Sequence, residues 1–106
     1  MIGIIDYGAG NLASVKNAFE RIGEDSEIFS DPLKIKNYSR IVLPGVGSFA
    51  KAMQMISLGG WKNQIIDEIH KGKPFLGICL GMQLLFEEGQ EGGNYKGLEI
   101  FKGTVK

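Results

Sequence analysis

One cysteine, Cys79, sits at the centre of Gly77-Ile78-Cys79-Leu80-Gly81, between an apolar run and an amphipathic one. A thiol so placed has the layout of a nucleophile elbow, a sharp strand-to-helix turn that presents the attacking group on a strained backbone. The glycines on either side are needed because side chains there collide with neighbouring backbone. The turn puts the sulfur at a helix N-terminus, where the positive end of the dipole favours an anion. It also aims the amide of Leu80 at the space in front of the sulfur, as an oxyanion-hole donor requires. A plainer reading stands beside this one. Free cysteines are usually buried, and a small core residue at a tight turn fits the same pattern.

Two further glycine turns bear on the chemistry. Pro44-Gly45-Val46-Gly47 follows an apolar run and can present backbone N–H groups without obstruction, which makes it the natural source of a second oxyanion donor. A plain strand-to-helix turn explains it equally well. Gly8-Ala9-Gly10 resembles the start of a dinucleotide loop, with alanine at position 13 as a permitted variant of the third glycine. No acidic residue ends the second strand cleanly, so nucleotide binding is the weaker reading.

His70 is the only histidine and must be tested as a general base. The run Pro74 to Ile78 separates it from Cys79 by about five extended residues, on the order of 16 Å. A base must come within about 3 Å of the thiol, directly or through a water. His70 sits at the wrong end of the sheet, and its place beside Lys71 suits the last turn of a helix.

The elements that position these residues can be read from periodicity. Met1 to Asp6 is a short apolar run and reads as a buried strand; Asn11 is a good N-cap for a helix carrying Leu12, Val15, Phe19 and Ile22, stopped by Gly23. Ser26 to Ser30 is a weaker strand, ended by Asp31-Pro32, and Arg40 to Pro44 a strong, β-branched one. A helix is expected around Ser48 to Ile56, and another with Trp61, Ile65, Ile66 and Ile69 on one face, closed by Gly72. Pro74 to Ile78 reads as a strand, Leu80 to Glu88 as a helix, Gly89 to Asn94 as a loop, and Leu98 to Phe101 and Thr104-Val105 as strands. Strands that are apolar on both faces and alternate with helices imply a parallel sheet covered on two sides. Such sheets hold ligands beyond the carboxyl ends of their strands, so the three glycine turns should lie near one another. The sheet has fewer strands than a doubly wound fold usually has and reads as cut short.

Composition narrows the function classes. The 106 residues suit one domain, and twelve basic residues cancel twelve acidic ones. There is no basic stripe, so nucleic acid is not an expected partner. The apolar runs are far too short to span a bilayer, no signal-peptide design opens the chain, and a cytoplasmic protein is the default expectation. One cysteine makes no internal disulfide, so Cys79 is a free thiol in a reducing compartment. Sixteen glycines cluster at element ends without a fixed period, the mark of tight turns.

Three segments carry a resemblance to a known family. Ile4-Ile5-Asp6-Tyr7-Gly8-Ala9-Gly10-Asn11-Leu12, Val42-Leu43-Pro44-Gly45-Val46-Gly47-Ser48-Phe49 and Gly77-Ile78-Cys79-Leu80-Gly81-Met82-Gln83-Leu84-Leu85-Phe86 resemble class I glutamine amidotransferases in order and spacing. Within that family the chain most closely resembles the glutaminase subunit of imidazole glycerol phosphate synthase. The resemblance implies a flavodoxin-like, doubly wound α/β fold with a mainly parallel sheet and helices on both faces. Residues 1–106 would form the N-terminal part of a single amidotransferase domain.

The resemblance also implies roles. Cys79 would attack the side-chain amide of glutamine, release ammonia and leave a glutamyl thioester for water to hydrolyse. The backbone amides of Leu80 and Val46 would stabilise the oxyanion, while Gly45, Gly47 and Gln83 would hold the substrate. Ammonia would pass to a (β/α)8-barrel cyclase subunit in a heterodimer serving histidine biosynthesis, with no metal or organic cofactor. The family's His-x-Glu pair, which completes the triad, belongs beyond residue 106. By themselves the 106 residues are therefore expected to be inactive. Three other readings remain open: an amidotransferase subunit for a different synthase, such as one aminating a surface sugar; a non-catalytic half-domain; and a thiol redox or chaperone-like relative with the same elbow.

Overall fold

The computed structural model describes residues 1–8, 10–45, 47–89, 95–98 and 101–105, with side chains described outside 86–89, 95–96 and 101–105. Four parallel strands form the central sheet in the order β2-β1-β3-β4: β1 Ile2–Ile5, β2 Ser26–Phe29, β3 Arg40–Leu43 and β4 Phe75–Gly77. In register, Ile4 lies beside Val42, Val42 beside Leu76, and Leu43 beside Gly77. The carboxyl ends of β1, β3 and β4 are thereby aligned, and the three glycine turns leave the sheet at one edge. Gly10 stands against Pro44, and Gly45 against the backbone nitrogen of Gly81.

Alternation along the strands divides the core in two. Ile41 and Leu43 face a large cluster built with Phe49, Ile56, Trp61 and Ile65 from helices α2 (Phe49–Leu58) and α3 (Trp61–His70). Ile2, Ile4 and Val42 face the other way, towards α1 (Leu12–Arg21) with its Leu12, Val15 and Phe19. Helices on both faces of a parallel sheet match the sequence expectation. The two faces are covered unequally: α1 contributes no buried residue, whereas α2 contributes four.

The helix ends follow local chemistry. At the end of α1 the Gly23 amide donates to Glu20 O and the Glu24 amide to Phe19 O, a Schellman arrangement around a left-handed Gly23. The Ser48 hydroxyl accepts from the Lys51 amide at the start of α2. Asn11 precedes α1 but makes no side-chain cap; its backbone, at φ −96° and ψ 77°, is not the extended conformation from which a cap side chain reaches back.

Past Cys79 the structure departs from the sequence expectation. The helix after the elbow, α4, spans only Leu80–Leu84, not Leu80 to Glu88. The next residues form a strand, β5 (Phe86–Gly89), which pairs antiparallel with β6 (Tyr95–Lys96) and parallel with β7 (Phe101–Val105). Backbone pairing of 86–89 with 101–105 competes with another helical turn and wins. Gly89 ends a strand, and the rest of the expected loop, 90–94, lies outside the described residues. Leu98 is buried but not in a strand, with its amide on Leu84 O at 2.7 Å, so β7 starts later than the expected Leu98 to Phe101 strand. A 3₁₀ helix, Pro32–Asn37, stands where the sequence showed only a stop; Asp31 caps it through the Leu33 amide.

Three partly buried polar contacts fasten this frame. Glu68, 5% exposed on α3, meets Lys73 at 3.4 Å, and Lys73 also donates to the carbonyl of Ile35 at 2.8 Å. The Tyr38 hydroxyl donates to Glu27 at 2.6 Å, and burial together with that carboxylate pushes its phenol up to about 12. Among the described residues no helix is long and apolar enough to cross a membrane.

Candidate active site

Cys79 is the one non-glycine residue with positive φ among the described residues, at φ 53° and ψ −119°. That combination lies outside the left-handed helical well, in backbone space that costs on the order of 1–3 kcal/mol and persists only where the surroundings enforce it. The enforcement is visible on both sides. A Cβ on Gly77 would stand 2.6 Å from Met82 Cα, and one on Gly81 would overlap the carbonyl of Leu43. The elbow's glycines are thus required by close approach, as the spacing suggested. Cys79 itself is exposed.

Hydrogen bonds weld the elbow to the exit of β3. Three consecutive carbonyls there each have a partner: Leu43 O accepts from the Ile78 amide at 3.0 Å, Pro44 O from the Tyr7 hydroxyl at 2.9 Å, and Gly45 O from the Leu80 amide at 3.1 Å. Within α4 the amides of Met82 and Gln83 return to Cys79 O. A helix of five residues supplies less dipole than the longer one expected from the sequence, so the turn geometry carries more of the argument.

The Leu80 amide is the candidate oxyanion donor, and here its hydrogen is directed at Gly45 O. A developing oxyanion can take that donor only once the Gly45 carbonyl turns away. Val46, the other candidate donor, lies outside the described residues. Gly47 is exposed at φ 92° with open space where a Cβ would stand, and Gln83 is half-buried on the first turn of α4. Gly45 is buried, with Tyr7 Oη 2.7 Å from where its Cβ would lie. Of these positions, Gly45 meets the elbow directly, against Leu80 and the backbone nitrogen of Gly81. His70 does not join them: it is exposed in the last turn of α3, and β4 runs from that end of the sheet to the elbow.

Beside the thiol, a groove of about 310 Å³ opens between α1 and the strand ends, lined by Val15, Phe19, Pro44, Ile78 and Cys79. Its walls are almost wholly apolar. They suit a packed side chain better than the charged α-groups of a free amino acid.

Sequence reasoning missed Tyr7. It is 6% exposed at the end of β1, and burial pushes its phenol up to about 12, so it remains a donor at ordinary pH. The available signal was a tyrosine closing a buried strand, since a buried hydroxyl needs a partner.

The chain resembles known proteins along its whole length. It is 56% identical over 105 residues to the imidazole glycerol phosphate synthase subunit HisH of Caldanaerobacter subterraneus subsp. tengcongensis, covering 99% of this chain and 52% of that protein. The subunit of the same name from Desulfitobacterium hafniense (strain DSM 10664 / DCB-2) is 50% identical, with 99% of this chain and 50% of the relative covered. The chain thus spans about half the length of the curated relatives it matches. A crystal structure of a glutamine amidotransferase superposes with a TM-score of 0.81 at 16% identity, over 97% of this chain and 54% of that one, which shows the shared flavodoxin-like fold. The family described as glutamine amidotransferase class-I matches residues 3–103. With the elbow, its paired glycines and the adjoining Pro44-Gly45 turn on one sheet edge, the chain belongs to the class I glutamine amidotransferases.

Proposed function

We propose that these residues belong to the glutaminase subunit of an imidazole glycerol phosphate synthase, a cytoplasmic enzyme of histidine biosynthesis, and carry its nucleophile. The observation that bears most weight is the exposed Cys79 on its enforced positive-φ backbone, in a chain about half identical to subunits of that synthase. The sulfur of Cys79 attacks the side-chain carbonyl carbon of glutamine. The carbon–nitrogen bond breaks, ammonia leaves with a proton delivered to its nitrogen, and water then cleaves the thioester to glutamate and free thiol. Leu80 and Val46 donate to the oxyanion, and Gly45, Gly47 and Gln83 hold the substrate. The proton shuttle is a histidine–glutamate pair supplied by the remainder of the family domain, because His70 is at the far end of β4. Ammonia is passed to a (β/α)8-barrel cyclase partner in a heterodimer.

The test is ammonia release from glutamine by the natural polypeptide carrying these residues, assayed with the barrel cyclase. Cys79→Ala should lower kcat by at least about three orders of magnitude while cyclisation fed with ammonium salt is unchanged. Glutamine-dependent release that survives Cys79→Ala overturns the assignment. An unaltered rate with and without any barrel cyclase, and no transfer of nitrogen to its product, overturns the partner and favours another ammonia acceptor. The 106 residues by themselves should release negligible ammonia, for want of a base near the sulfur.

A further inference from the structure

The Pro44–Gly45 turn is held by a side chain that plays no part in the chemistry above. The Tyr7 hydroxyl donates to Pro44 O at 2.9 Å, and this is a buried contact between residues 37 apart in sequence. The next carbonyl along, Gly45 O, accepts from the Leu80 amide. The two contacts lie on adjacent peptide planes. Fixing the Pro44 carbonyl fixes the plane of the Pro44–Gly45 peptide, and with it the direction from which the Gly45 carbonyl departs. Gly45 is packed against Tyr7 Oη with no room for a Cβ, so the phenol also limits how far this glycine can shift. The fixed φ of proline removes one torsion from the residue that carries this carbonyl.

We infer that Tyr7 is a positioning residue, its hydroxyl holding the Pro44–Gly45 peptide so that the Gly45 carbonyl rests on the Leu80 amide and keeps the oxyanion donor occupied. This rests on the glutaminase reading for its meaning, though not for its geometry. Freeing the donor requires the Gly45 carbonyl to swing off the Leu80 amide, and with the preceding peptide pinned by Tyr7 the glycine has less backbone freedom with which to do so. Tyr7 therefore biases the site towards its resting arrangement.

Tyr7→Phe keeps the ring and removes the anchor. In amide hydrogen exchange, Leu80 should exchange about fivefold faster, the population change that follows loss of one net hydrogen bond. The Ile78 and Ile41 amides, bonded to Leu43 O and Pro74 O, should keep their wild-type rates. In the natural polypeptide, ammonia release without a barrel partner should rise by a similar factor in kcat with KM little changed. A merely structural tyrosine predicts no such gain. Leu80 exchange equal to wild type overturns the inference, and so does equal acceleration at all three amides, which is plain loss of stability.

Should Tyr7→Phe fail to fold, two replacements at position 7 keep the question open to decision. 4-Aminophenylalanine retains a donor and should keep Leu80 protected, whereas 4-fluorophenylalanine fills the space without donating and should not. Equal protection with both overturns the anchor. Selective Leu80 exchange in a protein whose Cys79→Ala variant still makes ammonia would leave the anchor standing and sink the glutaminase reading instead.

Discussion

Cys79 holds a backbone conformation that glycine would adopt more readily, and the cost can be measured. At φ 53° and ψ −119° the residue stores strain, while β4 on one side and the close approach of Gly81 to Leu43 on the other prevent relaxation. Replacing Cys79 with glycine removes the Cβ that generates the strain, worth about 1–3 kcal/mol, but adds roughly 0.5–1 kcal/mol of unfolded-state entropy. Cys79→Gly should therefore be more stable than Cys79→Ala by about 1 kcal/mol in urea unfolding. Equal midpoints for the two variants would mean that the elbow is not strained. The thiol and its two glycines were legible because an elbow is a local object: five consecutive residues specify which positions need no side chain. Tyr7 was not legible in the same way, since its partner is Pro44 and nothing near residue 7 announces that contact. The occupied Leu80 amide was hidden for a related reason. The sequence identifies a donor, whereas the direction of a neighbouring carbonyl is settled by packing between two turns.

Strands β1 to β4 and helices α1 to α3 follow the periodicity of their apolar residues, and their ends follow glycine, proline and serine signals. The elements that escaped are those settled by long-range pairing or by short, aperiodic turns. β5 exists because 86–89 meet 101–105, a register no local pattern encodes. The 3₁₀ helix at Pro32–Asn37 is too short to show a period, yet it supplies the carbonyl that receives Lys73. That contact ties the turn between α3 and β4 to the 3₁₀ helix that precedes β3, and Glu68 holds the same lysine from α3, next to the strand that delivers Cys79. Lys73→Met should cost about 3–5 kcal/mol, because Glu68 would keep its buried position having lost its nearest cation. Lys71 reaches Glu68 only at 3.8 Å from an exposed position and cannot replace it. Adding Glu68→Gln should recover part of the loss, since an amide is easier to bury than an unpaired carboxylate. Strict additivity of the two changes in denaturant unfolding would count against a coupled pair.

Taken as a molecule, the chain covers one face of its sheet far better than the other. Among the described residues, α2 and α3 bury the Ile41–Leu43 face, the opposite face has α1 alone, and β4 pairs on its outer edge with no strand. Leu76 lies on that face beside Val42 and remains 51% exposed, next to a groove of about 210 Å³ reaching Phe19, Val42 and Pro74. An open parallel edge with apolar side chains around it offers both backbone hydrogen bonds and apolar area to another strand. A second copy of the chain presents the same edge. Purified as 106 residues, the chain should therefore associate with rising concentration in sedimentation experiments. Burial of a leucine stabilises by about 1.5–3 kcal/mol, so Leu76→Lys should weaken that association at least about tenfold. The lysine should leave the unfolding midpoint of dilute protein nearly unchanged, because a half-exposed position can direct its ammonium to solvent. If the wild-type chain stays monomeric at high concentration, the Leu76 edge is not sticky. If association persists undiminished in Leu76→Lys, another surface drives it. The same edge adjoins the elbow through Gly77, so whatever covers β4 also approaches the open side of Cys79, which is where a proton-transferring group must arrive.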